Sequence, residues 1–266
     1  MVRNFLNNLF KKKNFFIYKY ENLLLNKLIN KLFVYDCGHE LIRIGGNKDG
    51  GYLVPNILDK IKYCFSPGVG DVNLLGDVSS FENDLSNRGI KCFLADNTVV
   101  NHSKHDFEKK NLNVFNDEKN FTLENWIKLK LGNNIEDNLI LQMDIEGSEI
   151  GVIYNTSEEY LKKFKILVIE FHDFHFLGNL FGIRILDEVF SKLLKNFSIC
   201  HIHPNNCCGK TNLNNMTIPS IMEITFINNE EVQYKKLVKH TFPHKLDVKN
   251  VIKKKDIILP EIFYKK

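Results

Sequence analysis

The chain is 266 residues long, 44% apolar and 12% aromatic, with a formal charge of +4 and a pI near 8.6. That apolar content is ample for a packed core and excludes a disordered or fibrous protein. The mild charge is spread along most of the length, so it gives no basic arm for nucleic acid and at most favours an anionic substrate.

From Phe5 to Leu32, apolar residues recur at helical spacing among Lys and Asn, which predicts one or two amphipathic helices in a segment 1–40, ahead of a main domain over 41–266. Lys11, Lys12 and Lys13, between Phe10 and the Phe15-Phe16 pair, suit a helix packed on the core or one that docks on a membrane surface or a partner. The N-terminus lacks the apolar core and cleavage site of a signal peptide, and no stretch reaches transmembrane length. The expected location is therefore the cytoplasm, with peripheral contact as the remaining membrane role.

Strand and helix then alternate. Tyr63 to Phe65 reads as a strand, Ser80 to Arg88 as a helix, and Lys91 to Ala95 as a strand followed by a polar stretch. Leu139 to Met143 is the next buried strand, Tyr160 to Phe164 a short helical stretch, Ile166 to Ile169 a strand, and Leu180 to Lys195 a helix. Phe197 to Ile202 and Met222 to Phe226 are two further strands, the second with no crossover helix before it and so expected antiparallel. The pattern specifies a doubly wound, mostly parallel α/β sheet. Of the six cysteines, three lie in apolar runs, and the adjacent Cys207-Cys208 pair, without CxxC spacing, reads as loop thiols.

In such sheets ligands bind beyond the carboxyl ends of the strands. Polar residues collect there: Gly68 and Gly70, Asp96, Asp144 and Glu146, Glu170 and His172, and His201 with His203. In Phe65 to Asp71 the glycines let a backbone approach a cofactor, with Pro67, Gly68, Gly70 and Asp71 as the expected contacts. Asn73 replaces the third glycine of a dinucleotide fingerprint, which favours a nucleoside over a pyrophosphate ligand. Asp96 suits either a turn with Asn97 and Thr98 or hydrogen bonds to a ribose, and the nearby glycine turn favours the ribose role for Asp96 and Asn97.

The stretch Asp144-Ile145-Glu146-Gly147-Ser148-Glu149 resembles the FkbM-type methyltransferase family, as do Thr122-Leu123-Glu124 before it and Val168 to His172 after it. Asp49-Gly50-Gly51-Tyr52 and His201 to Asn206 are similar to a glycan-modifying branch, so the resemblance runs from about Arg43 to Phe226. Two positions depart from the family: Ser66, where an acid is common, and Gln142, where a lysine is usual. The resemblance implies a class I, Rossmann-like fold, S-adenosyl-L-methionine as donor, and a hydroxyl acceptor on a sugar or nucleotide sugar, in capsule or other surface polysaccharide synthesis. Asp144 then also contacts the cofactor, Arg43 pairs with its methionine carboxylate or makes a surface ion pair, and Asp49 to Tyr52 forms a lid.

Methyl transfer to a hydroxyl needs alignment and a base. His172 is the first choice for the base because imidazole titrates near neutrality, with Glu170 orienting it and Asp144, His201 and His203 as rivals. Asp144, Glu170, His172 and His203 also offer ligands for a divalent metal. Two other readings share the sheet: an NAD-dependent oxidoreductase, and a non-catalytic module that docks glycan enzymes. Oligomeric state has no sequence signal.

Overall fold

The structure, a computed structural model, describes residues 22–47, 50–70, 79–99, 104–172, 174–213 and 216–265. Its central sheet has seven strands: β1 Tyr63–Pro67, β2 Lys91–Ala95, β3 Asp106–Glu108, β4 Leu139–Met143, β5 Phe164–Phe171, β6 Phe197–Pro204 and β7 Met222–Asn228. They lie in the order β6-β7-β5-β4-β1-β2-β3. β7 runs antiparallel to β5 and β6, and the other pairings are parallel. Six α-helices are described: α1 Asn22–Lys31, α2 Ser80–Asn87, α3 Leu123–Leu131, α4 Glu149–Asn155, α5 Glu158–Leu161 and α6 Leu180–Leu194. This mostly parallel α/β sheet is compatible with a Rossmann-like fold. Strand order reverses between β1 and β4, where such sheets open a crevice at the carboxyl ends of their strands.

Side chains alternate across each strand, so one strand serves two cores. Phe65, Leu139, Leu141, Leu167 and Ile169 face a layer that includes α1, α3 and α6. Cys64, Ile140, Ile166 and Val168 face the other layer, with α2 and the hairpin Leu41–Ile44/Tyr52–Pro55. Thr225 Oγ1 ties that hairpin to the sheet by donating to Leu53 O at 2.7 Å. On α1, Leu25, Leu28 and Ile29 are buried, and Lys31 pairs with Asp187 of α6 at 2.5 Å. Residues 1–21, with Lys11 to Lys13 and their phenylalanines, lie outside the described residues. Among the described residues no helix is long and apolar enough to cross a membrane.

Several elements depart from the expectations. The polar stretch after β2 contains β3 and then α3, which begins where Thr122 Oγ1 accepts the Asn125 N–H at 3.3 Å and buries Leu123, Trp126 and Ile127. Trp126 meets Phe65 edge-on at 4.9 Å and stacks on Phe121 at 5.0 Å, so the threonine-leucine-acid segment is a helix start anchored in the core. The predicted helical stretch at 160–164 shifts to α5, and Phe164 already opens β5. A hairpin, Lys210–Leu213/Met216–Pro219, links β6 to β7, which lets β7 return antiparallel. Cys207 and Cys208, expected as thiols, are joined by a disulfide.

Candidate active site

A cavity of about 550 Å³ opens at the carboxyl ends of β1, β2 and β4. Gly68, Gly70, Asp96, Asp144 and Glu146 line it from the sheet side, Phe81 and Glu82 from α2, and Gly50 and Tyr52 from the hairpin. Gly68 has φ +79°, donates its N–H to Ala95 O at 2.9 Å, and would put a Cβ 1.5 Å from the Asp144 carbonyl oxygen. No residue with a side chain fits there. Pro67 ends β1, and its carbonyl accepts the Asp144 N–H at 3.5 Å. Asp71, Asn73 and Asp49 lie outside the described residues. Asp96 makes the expected turn, its Oδ1 accepting from the Thr98 N–H at 2.7 Å and hydroxyl at 2.6 Å, and the residue borders the cavity. Asn97 is next to it but does not line the cavity.

After β4 the chain turns sharply, with Glu146 at φ +55° and Gly147 at φ +101°. A left-handed glutamate costs of order 1–2 kcal/mol and persists only where its surroundings hold it. Glu149 does that holding: it is fully buried, and its carboxylate accepts the N–H groups of Ile145 at 2.9 Å and Gly147 at 3.1 Å. The same carboxylate lies 3.0 Å from His172 Nδ1. The other ring nitrogen, Nε2, is 3.6 Å from Asp144, 3.5 Å from Glu146 and 4.0 Å from Glu170. Burial alone lowers the His172 pKa; Glu149, Asp144 and Glu146 outweigh it and raise it to about 9. His172 is thus an imidazolium at neutral pH, at the rim of the cavity that Asp144 and Glu146 line.

His201 and His203 do not join this group. They lie within β6, buried, where Asp247 Oδ1 is 2.9 Å from His201 Nε2 and Asn250 Oδ1 is 2.9 Å from His203 Nε2. Asp247 and Asn250 come from the tail after β7. Asn250 also donates to Glu223 at 2.6 Å, and Glu223 stands in register between His203 and Glu170. Burial lowers the His203 pKa, but Glu223 and Asp247 prevail and raise it to about 9. Glu170 is buried and accepts from Asn205 at 2.8 Å, so it bridges the two groups. Arg43 donates to Gly46 O at 3.0 Å and lies over Gly51. Burial lowers its pKa against the pull of Glu223 and Asp247, so it faces those acids.

A cation-sized cluster also emerges: one ligand atom each from Asp144, Glu149 and His172 lie within 4.8 Å of one another. Of the four expected metal ligands, Asp144 and His172 meet here. Glu149, inside the recognised motif but given no role from sequence, completes the cluster, which includes neither Glu170 nor His203. Glu82, Asp247 and Asn250 carried no sequence signal, because each reaches its partners from a distant element.

The comparison with curated proteins finds no match. Residues 101–196, which hold α3, the Asp144 to Glu149 turn and His172, match the family model described as "Methyltransferase FkbM domain", and this similarity supports a methyltransferase.

Proposed function

We propose that the chain is a class I, S-adenosyl-L-methionine-dependent O-methyltransferase acting in the cytoplasm on a hydroxyl of a sugar or nucleotide sugar, in capsule or other surface polysaccharide synthesis. The observation that carries the reading is Gly68, which has no room for a Cβ and stands beside Asp96 at the reversal of strand order. A backbone cradle next to a carboxylate that can accept from a ribose suits a nucleoside donor. When bound, that donor supplies an electrophilic methyl group. Gly68 and Gly70 let the backbone close on it, and Asp96 holds its ribose, whereas Asn97, outside the cavity lining, is given no part. Arg43, engaged with the hairpin and facing Glu223 and Asp247, is assigned to the hairpin instead of the donor's carboxylate.

Asp144 lines the cavity and is the group that takes the acceptor's proton, with the His172 imidazolium holding Asp144, Glu146 and Glu149 around the turn. This exchanges the roles expected from sequence, because a histidine held protonated to about 9 is a poor base at neutral pH. Calorimetry with S-adenosylhomocysteine and NAD tests the cofactor. Binding of the first alone is expected, binding of NAD alone would restore the oxidoreductase, and binding of neither would leave the docking module. The cluster of Asp144, Glu149 and His172 favours a second reading, in which a divalent cation replaces the imidazolium proton. In that case chelation abolishes turnover and magnesium or manganese restores it; turnover unaffected by chelation removes the metal.

A further inference from the structure

Ser66 stands where an acid is common in the family, yet a carboxyl reaches the same place from the next element. Glu82, in the first turn of α2, is 3% exposed and lines the cavity. Its Oε1 is hydrogen-bonded to Ser66 Oγ. Its Oε2 is buried and has no hydrogen-bond partner among the described residues. A buried carboxyl oxygen without a donor is costly, and at a cavity wall it marks the place where a ligand's donor fits.

The contacts around Ser66 suit a neutral carboxyl. Ser66 Oγ lies 2.5 Å from Gln142 Oε1, and Gln142 Nε2 donates to the Tyr52 hydroxyl at 3.2 Å. A serine has one proton to give. With that proton on Gln142, the contact to Glu82 is made only if Glu82 is the neutral acid and donates to Ser66. Burial acts in the same direction, raising the Glu82 pKa. The titratable groups that face it are the thiols of Cys64 and Cys92, the Tyr52 phenol and, around the cavity, Asp96, Asp144 and Glu146. None of these carries a positive charge. If Glu82 ionises, Gln142 can turn its amide so that Nε2 donates to Ser66 and Tyr52 donates to Oε1, and every group stays satisfied.

We propose that Glu82 recognises the primary ammonium at the amino-acid end of the donor, releasing its own proton to solvent as that ammonium takes Oε2. The inference rests on the cofactor reading above. An ammonium fits and a sulfonium does not, because Oε2 lacks a hydrogen-bond donor and a sulfonium has none to offer. Asp96 on the same cavity accounts for the ribose, which leaves the Ser66 side for the other end of the ligand.

The test is calorimetric titration of the wild type and Glu82→Gln in phosphate and in Tris, from pH 5 to 8. S-adenosylhomocysteine carries the ammonium without a sulfonium, and 5′-methylthioadenosine carries neither. The wild type should release a proton with the first ligand and none with the second. Glu82→Gln should bind S-adenosylhomocysteine about 10- to 100-fold more weakly, without proton release, and bind methylthioadenosine as the wild type does. Glutamine copies the neutral acid, including its donor to Ser66, so the melting temperature should stay unchanged; should the variant not fold, the wild-type proton counts with the two ligands decide alone. Wild-type binding of S-adenosylhomocysteine without proton release, or equal affinity in the variant, overturns the role of Glu82. Wild type that binds neither nucleoside overturns the cofactor reading itself, and this inference with it.

Discussion

His172 leaves β5 and the pair His201 and His203 belongs to β6, on either side of β7, so the two groups share one sheet and one polar end of it. Around His172 the backbone is held in a left-handed turn, the acids include the exposed Glu146, and Nε2 has carboxylates at 3.5–3.6 Å beside a cavity. Around His201 and His203 the partners are at 2.9 Å, and the tail residues Asp247 and Asn250 close the group off. Both groups raise a histidine to about 9, so the pKa alone does not separate them. What separates them is access: one set of charges borders a space a ligand can enter, and the other spends its hydrogen bonds on the protein itself.

The largest effect should come from the cradle. Gly68→Ala puts a methyl into the Asp144 carbonyl and must part β1 from β4, so destabilisation beyond about 3 kcal/mol is expected in denaturant titration. Gly89→Ala is the control: Gly89 also has a positive φ, at +83°, but nothing lies within 4 Å of its Cβ, and the cost should be about 1–2 kcal/mol. Equal costs would mean that backbone strain, and not the close approach at Asp144, sets the need for Gly68.

Next comes chemistry at the open cluster. Asp144→Asn should lower single-turnover methyl transfer by about 10²- to 10⁴-fold with the fold intact. The pH profile of the wild type then assigns the base. If Asp144 takes the proton, the rate falls as pH rises through about 9, where the His172 imidazolium is lost. A rate that climbs toward pH 9 instead, with the climb absent in His172→Ala, would return the base to His172.

At the closed cluster the effect should be on stability alone. Asp247→Asn leaves two buried histidines with a weakened partner and should cost about 3 kcal/mol, with unchanged affinity for S-adenosylhomocysteine. His203 has a raised pKa, so its contribution is complete below about 6.5 and is lost as pH rises through about 9. The Asp247 pKa is lowered despite burial, through His201 and His203, so its contribution holds above about 4 and fades only in strong acid. Thermal melts against pH should show the alkaline loss shrink in the variant. A drop in nucleoside affinity would mean that the closed cluster serves the cavity after all.

The smallest effect is expected at Asp96, where Asp96→Ala should weaken S-adenosylhomocysteine by about 1.5–3 kcal/mol. Some of that loss belongs to the turn that Asp96 makes with Thr98. Asp96→Asn keeps an oxygen for the turn, so comparing the two variants by calorimetry divides the turn from the ligand.

Local sequence determined much of this molecule. Apolar runs with turn residues after them marked β1, β2, β4 and β5 and put Gly68, Asp96, Asp144 and His172 at their carboxyl ends, because a strand's core contacts are written into consecutive residues. The absence of a crossover helix marked β7 as antiparallel in the same way. Tertiary structure alone decided which polar residues meet. Short elements such as β3 and the nine-residue α3 give too little periodicity to read. Glu82 reaches Ser66 across 16 positions, Glu149 reaches His172 across 23, and Asp247 reaches His201 across 46. Such contacts depend on how strands and helices stack, not on any spacing in the chain, and they are what divided three similar histidines into one at a cavity rim and two sealed beneath the tail.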